Sequence, residues 1–209
     1  MSKIWIFDLD DTLHDASSKI FPRINQSMTA YVSHKLNISL DDAHQLRDKY
    51  WKVYGATLKG LIQNHGVDPQ EFLLNTHDAE ELSKFVKQSH ALENTLKKIK
   101  GKKIVFTNAP LHYAIAIIKT LRIQRYFSGI YSIESTNYNP KPSLYAFRKI
   151  LKQLGKRANQ CVMVEDDLAN LKTAHKIGMQ TILVSKLNKK TAFITKRISK
   201  IQYLTREFK

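Results

Sequence analysis

The chain has 209 residues, 43% of them hydrophobic, with only five prolines and seven glycines. That is enough apolar material for a proper core, and it excludes a disordered or fibrous protein. Lys and Arg number 34 against 18 Asp and Glu, a net charge of +16 that favours anionic ligands, and no uninterrupted apolar run reaches membrane-spanning length.

The first apolar run, Ile4 to Phe7, stops at Asp8. It is too short, and ends too soon in acid, for a secretory signal, so a cytoplasmic protein is expected. Helical spacing then takes over in Ile24 to Leu36, Leu40 to Tyr54 and Ala79 to Phe85, and strand signals are lacking between Leu13 and Leu92. A second apolar run, Ile104 to Phe106, stops at Thr107-Asn108, and a helical stretch from His112 to Leu121 follows. Gly129 to Ile133 reads as a strand. Leu144 to Leu154 places Ala146, Phe147, Ile150, Leu151 and Leu154 at helical spacing. Val162 to Val164 stops at Glu165-Asp166 and feeds a helix from Asn170 to Ile177, with Gly178 where a helix C-terminal glycine belongs. Thr181 to Val184 is the last clear strand. From Thr191 to Lys209 two patterns compete: Phe193-Ile194 reads as strand, whereas Ile198, Ile201 and Leu204 suit a terminal helix.

Short apolar runs of this kind suit central strands of a parallel sheet, buried on both faces. Their alternation with helices predicts an α/β fold around a Rossmann-like parallel sheet. Residues 14–92 read as a helical cap inserted after the first strand, leaving 1–13 and 93–209 as the core.

Cys161 lies in the apolar run Cys161-Val162-Met163-Val164 and reads as a small packed hydrophobe. Much of the positive charge sits near the end, where Lys186, Lys189, Lys190, Lys196, Arg197, Lys200, Arg206 and Lys209 face only Glu207. No aromatic-plus-basic motif of an RNA-recognition module accompanies it. A surface that attracts small phosphorylated molecules is expected, rather than specific nucleic-acid binding or a membrane.

Four polar segments follow the apolar runs. Asp8-Leu9-Asp10-Asp11-Thr12-Leu13 brings alternate acids into a turn, where one carboxylate can attack and another transfer a proton; by itself it reads equally well as a solvated acidic turn, or as Thr12 capping a helix. A calcium loop also begins with alternating acids, but its glycine is missing, since Leu13 stands sixth. Thr107-Asn108-Ala109-Pro110 offers a hydroxyl and N–H groups for phosphate oxygens, or a plain helix cap. Asn139-Pro140-Lys141-Pro142 restricts the backbone around a lysine. Glu165-Asp166-Asp167, between strand and helix, suits either a magnesium site or helix N-terminal electrostatics. In this order they supply each part that phosphoryl transfer needs.

The four segments resemble the four motifs of the haloacid dehalogenase superfamily, over nearly the whole chain. The resemblance implies that Asp8 is the nucleophile and a metal ligand, and that Asp10 is the general acid/base and a ligand through its backbone carbonyl. It further implies that Thr107 and Asn108 bind substrate phosphate, that Lys141 holds nucleophile and phosphate in register, and that Asp166 completes a Mg2+ site supported by Glu165. Asp11 has no role in the motif. The stretch Tyr50 to Leu61, followed by His65, Asp68 and Phe72, looks like the cap of the pyrimidine 5′-nucleotidase branch, which shares the Thr107-Asn108-Ala109 sequence. It departs from that branch at Pro110, where a bulky residue is usual, and at Asp167, where serine is usual.

The resulting expectation is a magnesium-dependent phosphomonoester hydrolase forming an aspartyl-phosphate, with a pyrimidine nucleoside 5′-monophosphate as substrate. A phosphosugar phosphatase or mutase of the same superfamily is the alternative. A basic, non-enzymatic nucleic-acid-binding protein is the contrasting class, but all four catalytic segments are filled. A haloacid dehalogenase needs no magnesium site and lacks the second aspartate, so Asp10 and the Glu165-Asp166 pair speak against it.

Overall fold

The computed structural model describes residues 3–187 and 191–206; Lys189, Lys190, Glu207 and Lys209 of the basic end lie outside them. β1 (Ile4–Phe7), β2 (Lys103–Phe106), β3 (Ile130–Tyr131), β4 (Cys161–Glu165), β5 (Gln180–Val184) and β6 (Lys196–Ile198) form one sheet in the order β3-β2-β1-β4-β5-β6. Every neighbouring pair is parallel. This is the expected α/β architecture.

Between β1 and β2 lie α1 (Ile20–Leu36), α2 (Leu40–Tyr54), α3 (Thr57–His65), α4 (Pro69–Thr76), α5 (Ala79–Ser83) and α6 (His90–Lys98). Then come α7 (Leu111–Thr120), α8 (Leu144–Leu154) and α9 (Leu168–Lys176). Local chemistry sets several of their ends. Ser39 and Asp68 cap α2 and α4 by accepting from the N–H groups of Asp42 and Glu71. Gly55 and Gly66 close α2 and α3 at φ of 79° and 63°, where a side chain would be strained.

The strands β1, β2 and β4 bury every residue, which is why they read as continuous apolar runs rather than alternating ones. With a period of two, Trp5, Phe7, Val105, Val162 and Val164 feed one core, while Ile4, Ile6, Ile104, Phe106 and Met163 feed the other. The first core is covered by α6 and α7 through Leu92, Leu96, Tyr113 and Ile117, joined by Ile20 and Ile24 of α1 and by Leu82 of α5. The second is covered by α8 and α9, through Phe147, Ile150 and Leu171. A third cluster, including Val32, Tyr50, Leu61 and Phe72, joins α1 to α4 away from the sheet. Cys161 is fully buried in the second core.

The end of the chain differs from both competing patterns. Phe193 and Ile194 form a turn rather than a strand, because the Thr181 hydroxyl ties the Phe193 carbonyl at 2.6 Å and the Thr195 N–H bonds to the Thr181 carbonyl at 3.0 Å. Sheet pairing therefore begins only at Lys196. Ile198, Ile201 and Leu204 are buried in the first core, but Ile201–Arg206 winds as a 3₁₀ segment. Their spacing of three matches that tighter helix. Within the basic end, the Arg197 guanidinium donates to the carbonyls of Ser185, Lys186 and Leu187 at 3.1 to 3.4 Å, so it holds a loop. No described helix is long and apolar enough to cross a membrane.

Candidate active site

All strands run parallel, so their carboxyl ends share one edge of the sheet, and the chemistry-bearing residues gather there. Asp8 leaves β1 with its N–H bonded to the Val164 carbonyl at 2.9 Å. Lys141 comes from the loop before α8 and is buried at 3% exposure; its Nζ donates to Asp8 Oδ1 at 2.6 Å and to Glu165 Oε2 at 2.7 Å. The Phe106 ring centroid lies 5.2 Å from that ammonium. Asn108 fixes the lysine's backbone from both sides: Oδ1 accepts from the Lys141 N–H at 2.7 Å, and Nδ2 donates to its carbonyl at 3.0 Å. Thr107 is buried at the end of β2, its hydroxyl accepting from the Ala109 N–H at 3.0 Å.

Carboxylate oxygens of Asp8, Glu165 and Asp166 lie within 4.8 Å of one another. Thr12 donates to Asp166 Oδ1 at 3.0 Å, and Asp167 serves as the N-cap of α9 by accepting from the Asn170 N–H at 2.8 Å. Burial raises the pKa of Asp8, with Lys141 opposing and Asp10 adding. Burial and the charge of Asp8 likewise hold Glu165 well above the usual carboxylate range. Asp166 is pushed up to about 6 by burial and by Asp8, against the Thr12 hydrogen bond. Burial works against the charge of Lys141, but Asp8 and Glu165 outweigh it and keep the ammonium above its ordinary value. One lysine thus faces several buried carboxyls. A cluster of hard oxygen donors short of positive charge could hold a hard divalent cation.

A family model described as haloacid dehalogenase-like hydrolase matches residues 5–184. The chain belongs to this family. Among curated proteins, Phosphate metabolism protein 8 of Saccharomyces cerevisiae is 28% identical over 196 residues, covering 87% of this chain; the chain spans 61% of that relative's length. Among solved structures, a HAD phosphatase from Thermococcus onnurineus superposes with a TM-score of 0.69 at 19% identity, covering 100% of this chain and 98% of the other. The L-2-haloacid dehalogenase of Xanthobacter autotrophicus gives 0.64 at 14% identity, with the same coverage. At such identities the two structures establish a shared fold.

In this haloacid dehalogenase-like hydrolase, sequence reasoning missed the partners of Asp10. Asp10 Oδ1 accepts from the Tyr113 hydroxyl at 2.7 Å and lies 2.9 Å from His14 Nε2. Tyr113 comes from α7 and is fully buried; in sequence it is one more apolar residue in a helical run. His77, from the end of α4, packs its ring edgewise on Tyr113 at 6.0 Å, and burial pulls its pKa down to about 4. Asp11 instead turns its carboxylate to the N–H groups of Ala16 and Ser17, both at 2.9 Å.

A cleft of about 980 Å³ opens over Asp8, Asp10, Thr107, Lys141 and Asp166, and is closed on the other side by residues of α1, α2 and α4. In the stretch from Tyr50 to Phe72, the Tyr50 hydroxyl pairs with His65 Nε2 at 2.6 Å, Leu61 is buried, and Asp68 caps α4. Leu58 and Phe72 are buried at the cleft wall, and Trp51, 65% exposed, lines the cleft with them.

Proposed function

We propose that this hydrolase is a magnesium-dependent phosphomonoester phosphatase acting through an aspartyl-phosphate on Asp8, with pyrimidine nucleoside 5′-monophosphates as substrates. The observation that carries the reading is the Lys141 ammonium bridging Asp8 and Glu165 beside Asp166. An attacking carboxylate and a phosphate repel each other, and this arrangement places a fixed cation on the attacking oxygen's partner. The name of the yeast relative, Phosphate metabolism protein 8, agrees with phosphate chemistry.

Asp8 and Asp166, with the backbone carbonyl of Asp10 and support from Glu165, would hold the ion. When bound, Mg2+ supplies positive charge that offsets repulsion between carboxylate and phosphate. Asp8 then attacks phosphorus in line while Lys141 keeps it ionised and aimed. Thr107 and the backbone beyond it bind phosphate oxygens, and Asn108 acts by holding the Lys141 backbone. Asp10 gives its proton to the leaving alkoxide and later takes one from the water that hydrolyses the aspartyl-phosphate. The segment 14–92 acts as the cap of the 1–13 and 93–209 core, closing the cleft over the substrate.

The test is phosphate release from nucleoside monophosphates and phosphosugars, with magnesium or with chelator, by wild type and Asp8→Asn. Expected are release only with magnesium, highest kcat/KM on uridine and cytidine monophosphates, and a loss of roughly a thousandfold or more in the variant. Release spread evenly over sugar phosphates overturns the nucleotide assignment. Undiminished release by Asp8→Asn overturns the mechanism.

A further inference from the structure

Arg47 on α2 is 7% exposed, and a guanidinium has five N–H donors to satisfy. One Nη donates to the Thr29 hydroxyl at 2.5 Å; the other donates to the Asn25 side-chain carbonyl at 2.6 Å and approaches the Met28 sulfur at 4.0 Å. The buried Nε has no acceptor. No described carboxylate forms an ion pair with it, and its neighbour Asp48 is exposed. The hydrogen-bond partners of Arg47 are all neutral, and against its burial only the charge of exposed Asp48 works the other way. Packing alone therefore gives no reason for an arginine at this position.

The cleft does give one. Arg47, Asn25 and Met28 line the same cleft as Asp8 and Lys141. Trp51 lies four residues on, one helical turn along the same face of α2, and lines the cleft with an open ring. An exposed aromatic plane one turn from a guanidinium short of acceptors suits a pyrimidine base, which has a flat face to stack and a ring carbonyl to accept. A sugar phosphate offers hydroxyl oxygens but no aromatic face.

We propose that Arg47 and Trp51 form a base subsite, in which the pyrimidine ring stacks on Trp51 and Arg47 donates to the O2 carbonyl that uracil and cytosine share. This inference rests on the nucleotide reading given above. Arg47 is here a specificity residue that acts on the leaving group, remote from the reacting phosphorus.

The experiment compares kcat/KM for uridine 5′-monophosphate, ribose 5-phosphate and phosphoglycolate, with magnesium, in wild type, Arg47→Met, Arg47→Lys and Trp51→Leu. Arg47→Met retains the apolar stem and removes the donors without stranding an acid. The ratio of uridine monophosphate to ribose 5-phosphate is expected to fall about tenfold to a hundredfold in Arg47→Met, mostly through KM. Arg47→Lys restores it only in part, because an ammonium lacks the planar fork, and Trp51→Leu lowers it again. A ratio equal to that of wild type in folded Arg47→Met overturns the subsite while leaving the nucleotide reading intact. A loss larger on phosphoglycolate than on the nucleotide overturns it in favour of a second anion. A wild type with no preference for the nucleotide overturns the nucleotide reading and the subsite with it. Should Arg47→Met fail to fold by circular dichroism, Trp51→Leu carries the same comparison, since Trp51 is exposed. A ratio unchanged in that variant overturns the stacking arm.

Discussion

Replacing Asp166 by Asn separates stability from function with opposite signs. In the metal-free protein, burial and the neighbouring Asp8 raise the Asp166 pKa from 3.8 to about 6. A carboxyl raised in this way favours the folded state fully below the unfolded value, and that contribution is lost as pH rises through the folded one. Above about pH 6 the shift amounts to an upper bound of roughly 3 kcal/mol of destabilisation. Asn removes the charge and keeps an oxygen for the Thr12 hydroxyl, which donates to Asp166 Oδ1 at 3.0 Å. In chelator at pH 7.5, Asp166→Asn is therefore expected to be more stable by about 1.5 to 3 kcal/mol, a rise in Tm of roughly 3 to 12 °C for a chain of this size. The gain falls to about half at pH 5 and to about a fifth at pH 4, since the contribution vanishes only below the unfolded value of 3.8, where the wild-type carboxyl is protonated in both states. On the proposed function, adding magnesium is expected to raise the Tm of the wild type more than that of the variant, because a bound ion stabilises the form that holds it. Thermal denaturation at the three pH values, with and without magnesium, measures all of this. A variant no more stable than wild type at pH 7.5 in chelator, or a gain undiminished at pH 4, refutes the electrostatic reasoning.

Tyr113→Phe removes the hydroxyl that Asp10 accepts at 2.7 Å; kcat is expected to drop about tenfold to a hundredfold with little change in KM, as steady-state kinetics will show. Cys161, fully buried and with its thiol pushed up to about 11 by burial, should resist iodoacetamide in the native protein and react stoichiometrically in guanidinium chloride, as read by mass spectrometry. Gly60→Ala would set a methyl group onto the buried Tyr50 ring, so urea denaturation should show a loss of about 1 to 3 kcal/mol.

The strand runs were legible because β1, β2 and β4 are buried on both faces, and a short run of Ile, Val and Phe ending in polar residues suits a central parallel strand. The end of the chain was harder to read. A three-residue edge strand such as β6 carries too little pattern, and the Thr181 hydrogen bonds that turn the chain before it come from another strand. At the site, Asp8, Lys141, Glu165 and Asp166 were picked out by order and by what stands before each of them.

What the sequence determined by itself is the chemical inventory: acids after the first and fourth strands, a hydroxyl after the second, and a lysine between prolines. Residue type and order along the chain are local facts, and parallel strands carry them to a common edge. What tertiary structure alone decided is which groups face one another. Tyr113 and His14 became partners of Asp10, Asn108 became the clamp on the Lys141 backbone, and Arg47 came to line the cleft with no described carboxylate in an ion pair with it. The Tyr113 contact and the placing of Arg47 depend on how helices seat against the sheet or one another, the Asn108 clamp joins two loops, and the His14 contact forms within the turn after β1; side-chain packing, unlike periodicity, leaves no repeating mark along the chain.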